Sequence, residues 1–519
     1  MADAAPLLCS HNNGNNRSAH ESLQSINRAS SNSIDLAIER HLGDAGARHI
    51  LRSLLAALPW MFDAQQSFIS VFTDAPPPWH CTSPSCSPSF STPCNLPPSS
   101  WSYSLPRCVS IVSEWSIHCA SPALLGLPAS AYFAGCLVGG FLLSTLADSR
   151  LGRKATLFLT SFAMSIFAAL TAFSSNITVY ATLRFACGFA RSTVGTTAFV
   201  LSTELVSRRW RNTVSIFNFF CFTSGFLSLP AIAYLNRASS WRALYLWTSI
   251  PSIFCSILIY FFVHESPRWL LVKGRTEEAI KTLRKVSASK EEVNSAELAE
   301  VAATAEAQSK DAFSAARILW GTPWAFRRLA VVMVVCFGIG MVYYGMPLNL
   351  GNLDENLYLS VTLNALAELP SSLASFVIVG GMNRRSSTMV LTSSSGICSL
   401  VCAAMIGGWP EMAVEVAAFI AACTAFDLIL LYGLELFPTC VRNTAISAMR
   451  QVVVFGGAVA PLLAAEGRGK GFMTFVVFGL VILFTGLFAY CLPETRSIGL
   501  TDTMEEEESR LKVAKEANP

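Results

Sequence analysis

We single out five ionisable side chains inside long apolar stretches of the chain, where an isolated charge is unfavourable. Asp63, Glu368 and Asp427 are the acids, and Arg191 and Arg450 are the bases. One ionised group in hydrocarbon costs about 2.5–3.5 kcal/mol on insertion scales, so charges there are expected to line water or a bound solute. Counting about 1.5 Å per helical residue puts the three acids near the middle of their stretches. The pattern predicts one polar central cavity that contains both signs of charge.

The alternative is that these groups pair with one another as buried ion bridges and never contact a solute. We keep this alternative open for Arg191 with an acid, and for Asp63 as support of a helix end. For Arg450 and Glu368 we favour a functional role. Gln66 and Gln451, which lie close to Asp63 and Arg450 in the sequence, would add neutral hydrogen-bonding groups to the same cavity.

Aromatic side chains near these charges indicate a class of solute. A cavity with both signs could hold a zwitterion with a quaternary ammonium and a carboxylate. Acids and aromatic faces bind the ammonium, and arginine binds the carboxylate. Tyr343 and Tyr344 are the best aromatic candidates, because hydroxyls inside a span need partners. Four other aromatic residues are singly more typical of packing: Trp60, Phe62, Phe217 and Phe219.

Residue patterns typical of an enzyme are missing from the sequence. The 7 histidines are dispersed, and no Ser-His-Asp or metal-ligand spacing occurs, so we predict no catalytic residue, metal or cofactor. The segment at 467–470 has neither the glycine spacing nor the following Ser/Thr of a phosphate loop. Acids are mixed with the bases of the central hydrophilic stretch, which argues against nucleic-acid binding.

Composition assigns these residues to a membrane protein. Of 519 residues, 52% are hydrophobic and only 14% are charged, which is not typical of soluble globular chains. Runs of about 20 apolar residues, long enough to cross a bilayer, recur along the sequence. The predicted fold is an all-α membrane protein with twelve transmembrane helices in two six-helix halves. The spans lie near 50–73, 122–146, 155–174, 179–204, 213–235, 243–263, 329–348, 358–380, 388–407, 412–436, 444–465 and 471–491.

Basic residues concentrate in alternate loops, which predicts the orientation. By the positive-inside rule, both termini and the central loop are cytosolic, and the loop after the first span faces outside or a lumen. Residues 1–48 are polar and Asn/Ser-rich, which predicts a disordered tail without a cleavable signal. The predicted segments are the tail 1–48, the N-terminal half 49–265 with its loop 74–121, the central loop 266–327 with helical pieces at 277–286 and 292–307, the C-terminal half 328–492, and the tail 493–519.

A basic hairpin between the second and third spans, at 139–154, predicts a conformational latch. The plainer alternative is a topology anchor. Asp148 can accept hydrogen bonds from a neighbouring helix N-terminus, while the bases stay on the cytosolic side. The hairpin recurs in weaker form at 379–385, and the loops 203–211 and 434–442 also match, which supports paired halves. The predicted gating residues are Asp148, Arg150, Gly152, Arg153, Lys154, Glu204, Arg208, Arg209, Glu435 and Arg442.

Five of the 16 cysteines crowd the Pro/Ser-rich loop after the first span. They are Cys81, Cys86, Cys94, Cys108 and Cys119. Such clustering predicts a disulfide-braced loop in an oxidising compartment. Since five is odd, at least one thiol would be left over. A metal site with His80 is the alternative, but the spacing fits no standard zinc pattern.

These repeats carry a specific resemblance. The stretches that carry it are DAQQSFISVFTDA at 63–75, ADSRLGRK, STELVSRRWR, HESPRWL, ELFPTCVRNTAISAMRQ and LPETRSIGL. Through them the chain resembles the major facilitator superfamily, and within it the plant branch of the organic cation/carnitine transporter family. The hairpin alone indicates only the superfamily, whereas SPRWL, the cysteine-rich loop and ELFPTCVRN together are much narrower. The resemblance implies a secondary carrier that works by alternating access.

Two departures from the family pattern limit what the resemblance implies. The animal relatives have a substrate-linked charge where this chain has Val454. Arg450 lies one helical turn earlier on the same face and would replace that charge. The second hairpin has Gly380 and Gly381 where the family usually has an acid and a base, so the latch is expected to be asymmetric.

The predicted function is transport of organic cations or zwitterions such as carnitine, in contact with membrane lipids. Transport would be coupled to protons at Asp63, Glu368 or Asp427, or driven by the membrane potential alone. A sugar or other small-solute carrier stays open, because SPRWL and LPET occur in sugar-porter relatives; so does a transporter-like receptor without flux. The vacuolar and plasma membranes fit equally, and Leu7-Leu8 has the spacing of a sorting signal. The sequon at Asn176 lies in a turn too close to the membrane to predict a glycoprotein.

Overall fold

The computed structural model of the chain describes residues 47–83, 93–97, 99–148, 151–286, 312–352, 356–405, 407–468, 471–496, 501 and 503–516. The predicted tail 1–48 falls almost wholly outside these residues, as does the predicted helix at 292–307. The other helical piece predicted in the central loop is present as Thr276–Val286.

The N-terminal half contains ten helices within the described residues, and five of them are long. A two-stranded antiparallel sheet, with Trp79 opposite Tyr103, lies in the loop after the first span. The elements are α1 (Ala47–Ala57), α2 (Pro59–Phe68), α3 (Ser70–Thr73), β1 (Trp79–Cys81), β2 (Trp101–Tyr103), α4 (Ile111–Glu114), α5 (Pro122–Asp148), α6 (Arg153–Thr171), α7 (Ile177–Arg191), α8 (Val194–Glu204), α9 (Arg208–Leu235) and α10 (Trp241–Phe262).

The central loop and the C-terminal half follow the same alternation of long helices and short turns. The elements are α11 (Pro267–Val272), α12 (Thr276–Val286), α13 (Ala312–Gly321), α14 (Pro323–Asn349), α15 (Leu357–Gly381), α16 (Arg384–Ala404), α17 (Trp409–Leu436), α18 (Thr439–Glu466), α19 (Gly471–Leu487) and α20 (Met504–Glu516).

Ten helices of the described residues are long and apolar enough to cross a membrane. The predicted first and fourth spans complete the set of twelve, but neither is one continuous helix. The first is divided into α1, α2 and α3, with Pro59 at the start of α2, where proline is tolerated because its missing N–H would have no helical partner. The fourth is divided into α7 and α8, with a break at Ser192 and Thr193.

Close backbone packing in the two halves is related by pseudo-symmetry. Gly225 places α9 directly against the carbonyl of Met61 in α2, and Gly456 places α18 against the carbonyl of Phe337 in α14. A side chain at either glycine would collide with backbone, so only glycine permits the contact. The first and fifth spans of one half therefore pack like the seventh and eleventh spans of the other.

The two halves are in close contact at one side of the molecule. We call this the loop side, because it carries the sheet β1–β2, and call the opposite side, which carries the turns at Gly152 and Asn383, the hairpin side. At the loop side, Arg468 Nη2 donates to the backbone oxygen of Asp74 at 2.9 Å, and the rings of Phe72 and Tyr358 stack at 5.6 Å. The cavity left between the halves there is only about 40 Å³.

Candidate functional site: a charged central cavity

One face of α18 is polar and accessible. Asn443, Ser447 and Arg450 are exposed, and their spacing of four and three residues places them on one helical face. Phe455 and Leu462 are exposed on a different, apolar face. The polar face lies on the hairpin-side part of α18, and the halves are in contact at the loop side. We therefore identify it as a wall of the central cavity, accessible from the hairpin side.

Arg450 has no counter-ion in the described part of the chain. Among the residues that the structure describes, it forms no hydrogen bond and no salt bridge. Gln451 follows it and packs against Gly140 of α5, with a buried side-chain oxygen that has no hydrogen-bond partner in the described part of the chain. The structure thus brings the predicted pair to the seam where α5 and α18 meet, and leaves the guanidinium available to an anionic group.

An aromatic and acidic cluster forms a second part of the site. Tyr343 of α14 donates its hydroxyl to Glu368 Oε1 of α15 at 2.9 Å. Its ring stacks on Phe426 of α17, with centroids 4.6 Å apart. Asp427, next to Phe426, accepts a hydrogen bond from Ser375 at 3.0 Å. Neither acid forms a salt bridge within the described ranges, so both can attract a cation.

Tyr344 connects the two parts of the site. Its ring lies 5.0 Å from that of Tyr343 and 4.8 Å from that of Phe133 in α5. It also lies within electrostatic range of Arg450 and Arg191. The predicted pair of tyrosines therefore divides its roles: Tyr343 faces the acids, and Tyr344 lies at the seam between the halves.

Predicted site residues of the N-terminal half are engaged within that half. Asp63 is 1% exposed and binds Arg191 at two points, through its Nε and through Nη2–Oδ2 at 3.0 Å. Gln66 donates to Thr248 at 3.0 Å, inside the packing of α2 against α10. For Asp63 the geometry is the buried ion bridge of our alternative, and Gln66 is not brought to the cavity.

The remaining aromatic candidates pack among themselves. Trp60 lies 5.6 Å from Phe219 and 6.3 Å from Phe199, between ring centroids. Phe217 contacts Phe220 at 6.5 Å, and Phe62 packs against the hydrophobic core. None of these contacts forms a cage with an open ring face toward the acids.

The first hairpin is held by Glu265, which lies three residues beyond the end of α10. Gly152 has a φ of 85°, a conformation that glycine adopts without strain. Glu265 then accepts the backbone N–H of Arg153 at 2.9 Å and of Lys154 at 3.0 Å. Burial raises the pKa of Glu265, although these N–H donors oppose the shift. Arg153 also faces Glu204 at 3.9 Å. The carboxylate of Glu265 thus caps the positive N-terminus of α6.

The second hairpin repeats this arrangement. Glu494 accepts the backbone N–H of Arg384 at 2.8 Å and of Arg385 at 3.2 Å, and Arg384 binds Glu435 at 3.2 Å. Thr495 donates to the same Glu435 at 2.6 Å. The motifs HESPRWL and LPETRSIGL therefore each supply the acid that caps a hairpin helix.

Other predicted gating residues are less informative. The prediction gave the capping role to Asp148, whose side chain lies outside the described structure, as do Arg150 and the side chain of Arg208. Arg442 donates to the backbone oxygen of Phe437 at 3.1 Å, which fixes the turn before α18. Arg209 is exposed.

Comparisons with known proteins agree with this architecture. A family model described as "Sugar (and other) transporter" matches residues 82–506. Organic cation/carnitine transporter 3 of Arabidopsis thaliana is 49% identical over 485 residues, which cover 92% of this chain and 93% of the relative. Organic cation/carnitine transporter 2 of the same plant is 47% identical, covering 95% of this chain and 97% of that protein.

The chain belongs to the organic cation/carnitine transporter family of the major facilitator superfamily. The inward-open xylose transporter XylE from E. coli superposes with a TM-score of 0.62 at 17% identity, covering 89% of this chain and 98% of that one. At that identity the likeness shows the fold alone. The predicted recognition, twelve-helix fold and transporter class are confirmed.

The loop-side region of this transporter is braced by disulfides. Cys94 binds Cys119, and Cys81 is also disulfide-bonded, whereas Cys108 is a free thiol. Cys86 lies outside the described residues. His80 contacts Ser102 and Ser104, and no cluster with metal-binding spacing occurs in the part of the chain that was placed.

Sequence reasoning overlooked three buried ionisable residues of this transporter. The Arg184 guanidinium lies 4.1 Å from the ring centre of Tyr132 and donates to Ser70 at 3.1 Å. Asp74 accepts from Tyr180 at 2.7 Å. Glu415, near the loop-side end of α17, is the third. The signal was present, because Arg184 and Glu415 both fall inside predicted apolar spans.

Proposed function

We propose that this transporter carries small organic cations and zwitterions of the carnitine type by alternating access. The observation that carries the proposal is the separation of unpaired charges in one cavity. Arg450 lies on α18, while Glu368 and Asp427 lie on α15 and α17, and none of the three has a counter-ion among the described residues. The names of the plant relatives support the same substrate class.

The proposed pose follows from the chemistry of each part. A quaternary ammonium has no N–H, so it binds through charge and ring faces. Glu368, Asp427 and the stacked rings of Tyr343 and Phe426 supply these. A carboxylate on the same solute reaches Arg450, whose planar fork of donors matches it. A cation without a carboxylate uses the acidic part alone.

The proposed orientation follows the positive-inside rule. The hairpin side, with Arg153, Lys154, Arg384 and Arg385, faces the cytosol together with both termini. The loop side faces outside or a lumen, which suits the Cys94–Cys119 disulfide because such bonds persist in oxidising compartments. The membrane is the vacuolar or the plasma membrane. Microscopy of a fluorescent fusion, with and without Leu7→Ala and Leu8→Ala, decides between them and tests the sorting signal.

The decisive experiment is radiolabelled uptake into proteoliposomes. We expect saturable uptake of carnitine and of tetraethylammonium. Arg450→Gln should abolish carnitine uptake and spare tetraethylammonium, while Glu368→Gln should abolish both. Arg327→Gln, at an exposed arginine on the hairpin side, is the matched control and should change neither.

Other outcomes point to the alternatives. Strong inhibition by hexose, with none by carnitine or tetraethylammonium, would identify a sugar carrier. Ligand binding without flux in the purified wild type would identify a receptor and overturn the proposal. Equal loss of both substrates in Arg450→Gln would remove the carboxylate role of that residue.

A further inference from the structure

A buried carboxyl and a buried amide face each other near the loop-side ends of α15 and α17. Glu415 and Asn364 are both 0% exposed. Asn364 Nδ2 donates to Glu415 Oε2 at 2.9 Å. Glu415 lies inside the membrane-spanning stretch of α17, and the cavity proposed above does not use it.

The hydrogen bonds fix the orientation of the amide. Asn364 Nδ2 also donates to the backbone oxygen of Ser360 at 3.1 Å. Because both neighbours are acceptors, the amide nitrogen must point to them and the amide oxygen must point elsewhere. Asn364 Oδ1 and Glu415 Oε1 are then both buried without a hydrogen-bond partner among the described residues. Buried acceptors are rarely left in that state.

These two oxygens lack a hydrogen-bond donor, and a proton on the carboxyl group of Glu415 supplies one. When Glu415 Oε1 is protonated it becomes an O–H donor, which the orphaned amide oxygen of Asn364 can accept. A carboxylic acid and a primary amide form two antiparallel hydrogen bonds, whereas the carboxylate can form only one with this amide. Protonation would therefore allow Glu415 Oε1 to donate a hydrogen bond to Asn364 Oδ1, so that neither oxygen is left unsatisfied.

The surroundings of Glu415 favour the same state. No arginine, lysine or histidine of the described chain forms a salt bridge with it. Cys402 of α16 and Cys423 of α17 lie within electrostatic range of Glu415, Glu411 precedes it by one helical turn of α17, and none of these groups carries positive charge. An uncompensated carboxylate in hydrocarbon is disfavoured, so the neutral acid is the form that this site accepts.

We propose that Glu415 and Asn364 form a proton-binding site that exchanges its proton during transport. α15 and α17 run in the same direction, and Asn364 precedes Glu368 by one helical turn, about 6 Å. Ser375, which donates to Asp427 of α17, lies about 10 Å further along α15. Cys423 is within electrostatic range of all three acids. Glu415, Glu368 and Asp427 thus form an acidic ladder along the α15–α17 interface.

The ladder couples protons to cations by exchange, a step that rests on the proposed function. An organic cation that binds Glu368 and Asp427 requires their carboxylates, so it displaces a proton from them. That proton leaves its O–H electron pair on the carboxylate oxygen and passes to water at the hairpin side. The Glu415 proton then replaces it on Glu368 when the cation departs, and Glu415 is recharged from the loop side.

The proton site is tested without any flux, by infrared spectroscopy of the purified full-length protein. Glu415→Gln keeps a paired amide with Asn364 but cannot titrate. At neutral pH, its difference spectrum against wild type should show loss of a protonated carboxyl band. Glu411→Gln, whose acid accepts the N–H of Gly407 at 2.7 Å, is the control and should leave that band intact. Loss of a carboxylate band in Glu415→Gln, or no change, would overturn the proton site.

Coupling is tested with tetraethylammonium uptake into proteoliposomes at zero membrane potential. One-for-one exchange against a lumen more acidic by one pH unit should support roughly tenfold accumulation. Glu415→Gln should abolish accumulation and retain tetraethylammonium binding. Saturable uptake that ignores the pH gradient in wild type would overturn coupling and leave the carrier standing. Absence of saturable uptake in every condition would instead overturn the proposed function, while the infrared result still decides the proton site.

Discussion

The membrane-buried Asp63 of the N-terminal half has an ionic partner, whereas Glu368 and Asp427 of the C-terminal half form no salt bridge among the described residues. Asp63 and Arg191 bind each other at two points, and Arg184 is stacked on Tyr132. Arg450 and Glu368, in the other half, have no ionic partner within the described residues. Both halves repeat the same hairpin caps and the same glycine contacts. The backbone repeat is therefore kept while the charges differ, which supports our proposal that the C-terminal half carries recognition.

Breaking the matched pair should have the largest effect on stability. Asp63→Asn leaves Arg191 buried without its counter-ion, and loss of one partner of a buried bridge costs about 3–5 kcal/mol. The thermal unfolding midpoint of the purified protein should fall accordingly. The double variant Asp63→Leu with Arg191→Met should recover much of it, because no charge is stranded. A stable Asp63→Asn protein would show that the pair is not structural.

Changing Arg450, which has no ionic partner among the described residues, should weaken binding and leave stability unchanged. Arg450→Gln should leave the unfolding midpoint near that of wild type. Carnitine affinity should fall by the value of a charged hydrogen bond, about 1.5–3 kcal/mol, measured by equilibrium binding. If Arg450→Gln lowered stability as much as Asp63→Asn, the division between the halves would fail.

Removing either hairpin cap should have a smaller effect on stability, and the two effects should be nearly equal. Glu265→Ala and Glu494→Ala each remove an acceptor for two backbone N–H groups, and loss of a helix cap costs about 0.5–2 kcal/mol. Unfolding midpoints of the single variants test this equality. A much larger loss at Glu265 would support the asymmetric latch expected from the sequence, in which the first hairpin dominates.

The Glu265 cap also predicts a pH dependence. Burial raises its pKa above 4.5, so the folded protein holds this proton more tightly than the unfolded chain does. Its contribution to stability should therefore fall as the pH rises from about 4.5 through the raised pKa, and be constant above it. Glu265→Gln should flatten this part of the curve of unfolding midpoint against pH, while Glu278→Gln, at an exposed acid, should not.

The smallest effect is expected at the loop-side contact. Arg468→Ala removes the hydrogen bond to the Asp74 backbone, which is worth about 0.5–1.5 kcal/mol. The population open at the loop side should rise by the corresponding factor. Labelling of a Ser70→Cys variant by a membrane-impermeant thiol reagent from that side should be several times faster with Arg468→Ala. An unchanged rate would show that this bond does not hold the side closed.

Sequence reasoning predicted the span positions because hydropathy and helix length reflect one physical constraint, the bilayer thickness. It could not tell Asp63 from Glu368, because both are acids at similar depth. Only the fold shows that Arg191 reaches the first and not the second. The breaks between α1 and α3 and between α7 and α8 were also missed, since apolar composition continues across them.

The hairpin caps illustrate a different limit. Glu265 and Glu494 stand within motifs that were recognised as repeats, but the residues they contact are more than 100 positions away in the chain. The sequence therefore indicated that these acids matter without indicating the helix N-termini that they bind. Glu415 also lies close to the start of a predicted span, and its burial was not predicted.

Arg468 closes the loop side by binding a main-chain oxygen. Every residue type supplies that oxygen, so substitutions at position 74 need not be matched by substitutions at 468. Correlated variation among homologues would then leave this contact unseen, while still pairing Arg153 with Glu204 on the opposite side. Substitutions can therefore change the polar network around Asp74 without breaking the Arg468 contact that closes the loop side.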